Sequence, residues 1–380
     1  MRETIRRILA IGRKEFIHIR RDPRMLFAVL AMPLIQLLLF AYAISFDVNN
    51  VPTVLLDGDR TTASRKYLAA YEQSDFFHVV ERVDSMDAVD SAFDRSMARI
   101  AIMVRPGFGE AISRGEKGEV SVLVDGSEPN SAQLGQTYAV ALNQKLGREV
   151  TFDWLERQGV DPTQGGRIEP RIRTWYNPER KSADFLIPGL LVVIIMIVTV
   201  QQTAVTLVKE KEQGTFEQIV VSPIRRGELM VGKVAPWVVL AFADMIGVSL
   251  VGMFVFGVPL RGDVLVLVAS TFLFVLCSLA IGLLVSARAS SVEVANLVAL
   301  LISFLPGFML SDFAFPLNSI PRFLQYVSYI FPGRYMVTIS RSVFLKGAGF
   351  DVLWPQIGAL ALYAIVSLTL ASLLYSRRAR

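Results

Sequence analysis

The chain has 380 residues, of which 53% are hydrophobic and 19% charged, and its net charge is +5. This composition is too apolar for a soluble protein of this length and indicates a chain that crosses a membrane several times. The single cysteine, Cys277, excludes an intrachain disulfide, and the two histidines lie too far apart for a metal-binding pattern. Basic residues crowd both ends, which fits an anionic membrane surface better than nucleic acid, so we expect no nucleic-acid partner.

The N-terminal part predicts a helix on the membrane surface followed by a spanning helix. In residues 1–24, apolar residues recur at helical spacing among arginines and lysines, which predicts an amphipathic helix in the cytoplasmic interface. Residues 25–46 form the first run long enough to span a bilayer. A disordered basic tail and a signal peptide cleaved near Ala43 are the alternatives. The regular apolar spacing and the apolar run beyond Ala43 argue against both.

Residues 47–183 have a different, polar pattern in which short apolar runs alternate with helical segments. The predicted strands are 51–56, 76–81, 99–104, 120–124 and 168–176, and the predicted helices are 61–73, 84–97, 108–114 and 131–158. The alternation predicts a mixed sheet with helices packed on it. A segment this long can be translocated regardless of its charge, so we expect an extracytoplasmic domain. The Asp-Gly pairs at strand ends could hold a ligand or Ca²⁺, but turn formation is the favoured interpretation.

Five further apolar runs bring the predicted membrane helices to six. They cover residues 184–208, 234–260, 264–285, 294–314 and 355–375. The segment 315–350 is broken by prolines and is predicted to be a re-entrant hairpin at the outer face, and residues 376–380 form a cytoplasmic tail. Four cations in the hairpin segment run against the tendency of Lys and Arg to stay inside; they are Arg322, Arg334, Arg341 and Lys346. The predicted fold is a polytopic α-helical membrane protein with six transmembrane helices and an α/β domain inserted between helices 1 and 2.

The short polar loop 209–233 between the second and third runs carries a helix signal of its own. Thr215 and Gln218 form a capping-box pattern, and Phe216 begins an apolar face that includes Ile219 and Val220. The lysines and arginines of the loop place it on the cytoplasmic side. A short helix with an apolar face can dock into a groove on another protein. A solvated turn is the alternative, and the residues alone leave both open.

Two groups of residues resemble ABC-2 type transporter permeases. The first consists of Glu210, Glu212, Gly214, Thr215 and Glu217, followed by Ser222-Pro223 and Gly232-Lys233. The second runs from Leu305 to Pro316 and continues through Ile320-Pro321, Phe331-Pro332-Gly333-Arg334-Tyr335 and Leu345-Lys346-Gly347. The resemblance covers essentially the whole chain. With its large external domain, the chain is similar to the branch that exports drugs and hydrophobic compounds.

The resemblance implies the membrane subunit of an exporter rather than an enzyme. A separate ATPase subunit would bind ATP and Mg²⁺, so we expect no cofactor in this chain. A second permease copy, identical or paralogous, would complete the pathway. Membrane lipid would surround the two chains, and a periplasmic adaptor protein is a further partner that the resemblance allows. The implied location is the bacterial cytoplasmic (inner) membrane, with several crossings and both termini in the cytoplasm. The expected substrate is amphiphilic or hydrophobic, such as a drug or a lipid-like molecule.

The residue pattern and the resemblance together give candidate site residues. Those expected to couple to the ATPase are Glu210, Glu212, Gly214, Thr215, Phe216, Glu217, Ile219, Val220, Ser222 and Pro223. Candidate pathway or gate residues are Asp244, Gln201, Gln202, Pro306, Asp312, Phe315 and Pro316. Asp312 stands where the family usually has glycine, which leaves the type of substrate open.

The residues also admit three other interpretations. Asp244 is a carboxylate inside an apolar run and could carry protons in a secondary transporter, or it could be hydrogen-bonded between helices. The chain could also be a membrane anchor that presents the external domain as a receptor. The segment from Gly227 to Lys233 fits the phosphate-loop spacing, but no Ser or Thr follows Lys233 and no strand precedes it, so we expect no nucleotide site there.

Overall fold

The computed structural model describes residues 2–43, 50–127, 129–159, 175–178, 181–212 and 226–377. The chain divides into two compact units, one formed by residues 1–45 with 174–380 and the other by residues 46–173. The first unit begins with α1 (Arg2–Arg21) and α2 (Pro23–Ala43). Asp22 separates these helices, and its carboxylate accepts hydrogen bonds from the N–H groups of Arg24 and Met25, both at 3.1 Å. This cap starts α2 where Pro23 supplies the first helical residue.

The second unit contains a four-stranded mixed sheet. In chain order its elements are β1 (Val51–Asp57), α3 (Thr62–Glu72), β2 (Phe77–Val83), α4 (Met86–Asp94), β3 (Ile100–Val104), α5 (Phe108–Arg114), β4 (Val120–Val124) and α6 (Pro129–Arg157). The strand order is β2-β1-β3-β4, with β1 parallel to β2 and β3, and β4 antiparallel to β3. Of the fifth predicted strand, 168–176, only Trp175 and Tyr176 lie among the described residues, and neither is in a strand.

Helices cover both faces of this sheet because successive strand residues point to opposite sides. On one face, Leu55 of β1 packs with Leu68 of α3. On the other face, Val54 of β1 packs with Val89 of α4. The central strands β1 and β3 are therefore buried on both faces, and the unit has two apolar layers that share one sheet.

The aspartates at the strand ends are used in turns. Asp57 accepts a hydrogen bond from the N–H of Arg60 at 2.8 Å, and Asp125 accepts one from the N–H of Ser127 at 2.9 Å. Arg99 also donates to Asp125 at 2.7 Å. Hydrogen bonds from Ser127 and then from Arg99 lower the pKa of Asp125 to about 2. The contacts to Arg60 and Ser127 are turn interactions, as the sequence predicts for the Asp-Gly pairs, and Arg99 adds an ion pair to Asp125.

The remaining helices of the first unit are long and apolar. They are α7 (Ser182–Glu212), α8 (Arg226–Phe254), α9 (Val264–Arg288), α10 (Val292–Met309), α11 (Arg322–Ser328), α12 (Pro332–Arg341) and α13 (Phe350–Arg377). Within the described part of the chain, six helices are long and apolar enough to cross a membrane: α2, α7, α8, α9, α10 and α13. The span in α7 is the most buried of these, because α7 packs against α2, α8, α9, α10 and α12.

Several helix ends differ from the predicted ones. The predicted loop 209–233 is shorter, since residues 209–212 continue α7 and residues 226–233 open α8. The early start of α8 depends on its packing against α1, which a local pattern does not reveal. The predicted span 294–314 ends as a helix at Met309, and the last predicted span begins as a helix at Phe350.

The predicted hairpin segment 315–350 is a series of short elements. It contains a 3₁₀ turn (Leu317–Ser319), then α11 and α12, and a π-helical turn (Ser342–Lys346) that follows α12 directly. Gly347 ends this turn with φ of 69°, a conformation that glycine adopts without strain.

Candidate functional site

Two groups of contacts lie at opposite ends of α7. We call the end at Glu212 the loop end, because α7 stops there before the segment 213–225. We call the end at Ser182 the hairpin end, because α12 packs against this part of α7. The contacts at the two ends involve different helices, so α7 is the element that the two groups share.

At the loop end, Glu212 holds the beginning of α10. Its Oε1 accepts a hydrogen bond from the backbone N–H of Val292 at 2.9 Å. Ser291 caps the same helix end, with its hydroxyl oxygen 3.2 Å from the N–H of Val294. The first N–H groups of a helix have no partner within the helix, and a negative charge is favourable there. Glu212 therefore ties the last residue of α7 to the first turn of α10.

Also at the loop end, α1 packs closely against the first turns of α8. A Cβ atom on Gly232 would lie 2.7 Å from Cβ of Ile11, so only glycine fits without movement of α1. Glu228 is 4% exposed and forms an ion pair with Arg7 at 3.7 Å. Lys233 is also buried, at 2% exposed. A buried charge is stable only with a charged or polar partner, so the pair of Glu228 and Arg7 favours a fixed α1–α8 contact.

Most of the predicted ATPase-coupling residues lie outside the described residues. These are Gly214, Thr215, Phe216, Glu217, Ile219, Val220, Ser222 and Pro223. Glu210 lies in α7, and Glu212 is at its end, bound to Val292 as above. The docking role of the segment 209–233 stays a prediction. The structure adds the hydrogen bond by which Glu212, near the start of this segment, binds α10.

At the hairpin end, Arg341 of α12 connects three parts of the chain. Its Nη1 donates to the carbonyl of Asp312 at 2.6 Å, and its Nη2 donates to the carbonyl of Phe313 at 3.0 Å. Its Nε donates to the carbonyl of Phe185 at 3.3 Å, and the guanidinium lies 3.7 Å from the centre of the Phe185 ring. Because guanidinium is planar with donors on several sides, it can hold α12, the turn after α10 and the start of α7 together. We call these contacts the Arg341 cluster.

Two further contacts tighten the same end. Ser340 donates to the carbonyl of Pro188 at 2.8 Å, across from α12 to α7. A Cβ atom on Gly189 would lie 2.5 Å from Cδ2 of Phe313, so glycine lets the buried phenylalanine reach the backbone of α7. The turn after α10 is thus held against α7 by packing as well as by hydrogen bonds.

The backbone at Asp312 accounts for its place in the turn. Its φ is 67°, in the left-handed region that glycine and, less often, aspartate adopt. Its carboxylate accepts the N–H of Leu317 at 3.0 Å and lies 3.3 Å from Nη1 of Arg341. A glycine would satisfy the backbone but could not make these two contacts.

The other predicted gate residues are spread over the helical unit. Gln201 and Gln202 are half-buried in the middle of α7, Pro306 is in α10, and Phe315 and Pro316 are exposed beyond it. Asp312 alone among them joins the Arg341 cluster. Sequence reasoning missed the role of Arg341, although the unexpected cations in the hairpin segment were a signal that could have led to it.

Asp244 is buried in α8. It is 3% exposed, and within the described residues its Oδ2 has no hydrogen-bond partner. No group of three His, Cys, Asp or Glu side chains that could hold a metal ion occurs in the described ranges. Asp244 is therefore a single carboxyl group among membrane helices, a costly arrangement if it is ionised.

Comparison with known proteins gives consistent matches over most of the chain. The family model described as "ABC-2 family transporter protein" matches residues 23–373. The chain is 31% identical to the "Probable multidrug ABC transporter permease YbhS" of Escherichia coli over 90% of this chain and 89% of that protein. It is 24% identical to the permease YbhR of the same organism over 98% of this chain and 99% of that protein. It is 21% identical to the "Linearmycin resistance permease protein LnrN" of Bacillus subtilis over 96% and 97% of the two chains.

Proposed function

The chain belongs to the ABC-2 family of transporter proteins, and from this membership we propose that it moves an amphiphilic or hydrophobic substrate out across the cytoplasmic membrane, driven by a separate ATPase subunit. The family is one of permease subunits, which are not themselves catalytic. The ATPase would supply the bound ATP and Mg²⁺. The relatives named for multidrug transport and for linearmycin resistance support the proposed substrate class.

The proposed orientation has the loop end of α7 in the cytoplasm. Lys209, Arg226 and Arg288 lie at that end, beside the arginine-rich α1, and such cations favour the inner face. The N-terminus and the C-terminal tail 376–380 are then inside. Since α2 is one crossing, the sheet-containing unit that follows it is extracytoplasmic.

The link between Glu212 and Val292 is the observation that carries the proposed mechanism. A partner that presses on the segment 213–225 acts directly on the end of α7 and, through Glu212, on the first turn of α10. The 31 residues of α7 form a continuous helix of about 46 Å, long enough to carry the displacement across the bilayer.

At the hairpin end this displacement reaches the Arg341 cluster. Phe185 and Pro188 of α7 bind Arg341 and Ser340 of α12, so a shift of α7 moves or breaks these contacts. We assign the cluster the role of an outer gate. A second copy, identical or paralogous, would form the other half of the pathway, and a periplasmic adaptor could bind the extracytoplasmic unit.

The experiment reconstitutes the chain in vesicles together with a co-expressed ABC ATPase subunit. Accumulation of an amphiphilic dye in inside-out vesicles should require both subunits and ATP, and should fail with an ATPase that cannot hydrolyse ATP. Phe216→Asp should abolish co-purification of the ATPase, whereas Phe323→Asp, at an exposed site on the hairpin segment, should not. Transport by this chain alone would contradict the proposal.

The buried carboxyl of Asp244 favours a second candidate function, a proton-coupled secondary transporter. In that case Asp244→Asn would abolish transport, and a protonophore would do the same without any ATPase. In an ATP-driven exporter the variant keeps transport, since replacing this buried carboxyl by an amide removes only a group that is costly to ionise. Measuring dye transport with ATP or with a proton gradient separates the two.

A further inference from the structure

A polar cavity of about 280 Å³ opens in the hairpin segment beside α11. Its polar lining residues are Asn318, Arg322, Gln325, Tyr326, Tyr329 and Arg334, and none of its lining residues is acidic. Two guanidinium groups without a lining carboxylate make this cavity positively charged. Coulomb attraction therefore favours an anion over a cation in this cavity.

Arg334 is held in a fixed position at this cavity. Its Nη1 donates to the hydroxyl of Ser328 at 2.5 Å and to the carbonyl of Gln325 at 3.3 Å. Its guanidinium also lies 3.8 Å from the centre of the Tyr329 ring. Both hydrogen bonds use Nη1, so within the described residues Nε and Nη2 are left to bind another acceptor. Arginine with two donors on one edge is suited to the oxygen atoms of a phosphate group.

An apolar surface adjoins the cavity. Phe323 and Tyr326 of α11 are 73% and 72% exposed, and Ile330, just beyond the helix, is 72% exposed. Their spacing of three and four residues places them on one side of the chain. Exposed tyrosine and phenylalanine beside arginine are typical of the membrane boundary, where the rings reach the hydrocarbon and the cations remain at the level of the headgroups.

We propose that this cavity binds the phosphate group of a membrane phospholipid, held by Arg322 and Arg334. The exposed side of α11 then lies against the glycerol and upper acyl chains of the same lipid. The inference does not depend on the ATPase or on the orientation of the chain, because both membrane faces present phosphate groups. It also gives a physical reason for cations in a segment that the sequence predicts to lie at the outer face.

The experiment measures lipid retention by native mass spectrometry of the whole chain in detergent. The probes are phosphatidylglycerol and a diacylglycerol with the same acyl chains but no phosphate. We expect selective retention of phosphatidylglycerol, weakened at least about tenfold by Arg322→Gln or Arg334→Gln, since a hydrogen bond to a charged group contributes enough free energy for that factor. Lys346→Gln is the matched control, because Lys346 is an exposed cation of the same segment outside the cavity.

Three results would overturn the inference. The first is unchanged retention in Arg322→Gln; Arg322 is exposed, so this variant avoids the folding contacts of Arg334. The second is complete displacement of the lipid by millimolar inorganic phosphate, which would assign the cavity to free phosphate. The third is rapid disulfide linking of two chains by Tyr326→Cys in a Cys277→Ser background, which would place a second copy on this surface. None of these tests uses ATP, so they are distinct from those of transport.

Discussion

The carboxylate of Glu212, the last residue of α7, accepts a hydrogen bond from the N–H of Val292, which lies 80 residues further along the chain. Arg341 makes a comparable link at the other end of α7, where it binds the carbonyls of Phe185 and Asp312. One helix is therefore fastened at both ends to α10 and its following turn. A helix held in this way can transmit a displacement along its length.

Removing the Glu212 contact should weaken coupling. We expect Glu212→Ala to lower the free energy of unfolding by about 1 kcal/mol, the usual value of a lost helix cap. It should reduce ATP-dependent dye transport while the ATPase still co-purifies. Glu293→Ala is the control, because Glu293 is an exposed acid in the same helical turn. Equal loss of transport in both variants would mean that coupling depends on negative charge near the start of α10 and not on the contact with Val292.

Replacing Arg341 by a residue with fewer hydrogen-bond donors should weaken the contacts at the hairpin end. Arg341→Lys keeps the charge but cannot reach the carbonyls of Asp312, Phe313 and Phe185 together. We expect a loss of at least about 2 kcal/mol in unfolding free energy, from two hydrogen bonds to a charged donor. Thermal unfolding in detergent checks this, with Arg288→Lys at an exposed site as the control. If the two variants unfolded at the same temperature, the Arg341 cluster would have no special role in stability.

The α1–α8 contact should depend on glycine at position 232. A Cβ there meets Ile11 at 2.7 Å and the carbonyl oxygen of Ile8 at 3.1 Å. We expect Gly232→Ala to destabilise by about 1–3 kcal/mol, as overpacked sites do, and to speed hydrogen exchange in α1. Gly227→Ala, where nothing lies within 4 Å of the added atom, should have no such effect. Slow exchange of α1 in both variants would contradict the close packing.

Acid should destabilise the sheet-containing unit through Asp125. Its pKa in the folded chain is about 2, below the ordinary value of 3.8, because Ser127 and Arg99 bind the ionised form. A carboxyl group whose pKa is lower in the folded chain than in the unfolded chain stabilises the fold when the pH is above the unfolded pKa. The contribution of Asp125 is therefore present above about pH 4 and is lost as the pH falls towards about 2.

Hydrogen exchange of the β3 and β4 amides in the whole chain measures this loss. The wild type should exchange faster as the pH drops through that window, after correction for intrinsic rates. Asp125→Asn should exchange faster already at neutral pH and change less with acid. A variant that keeps the full pH dependence would show that other carboxylates are responsible.

Much of the architecture could be predicted because its signals are local. An apolar run of about 20 residues is enough to identify a spanning helix, and the alternation of strands and helices identified the α/β unit. Helix ends were harder, as at residues 226–233, where contact with α1 extends α8 into a segment that is polar in sequence. The coupling role of Phe216 and its neighbours stays a prediction, since these residues lie outside the described ranges.

The sequence by itself determined that the chain is a membrane protein with an α/β unit between its first two apolar helices, because hydropathy, spacing and turn residues act over short stretches. Only the tertiary structure decided that Glu212 holds α10, that Arg341 joins α12 to α7, and that Gly189 admits Phe313. Those pairs lie far apart in the chain. Their contacts depend on which helices become neighbours, and that is decided by the packing of the whole unit.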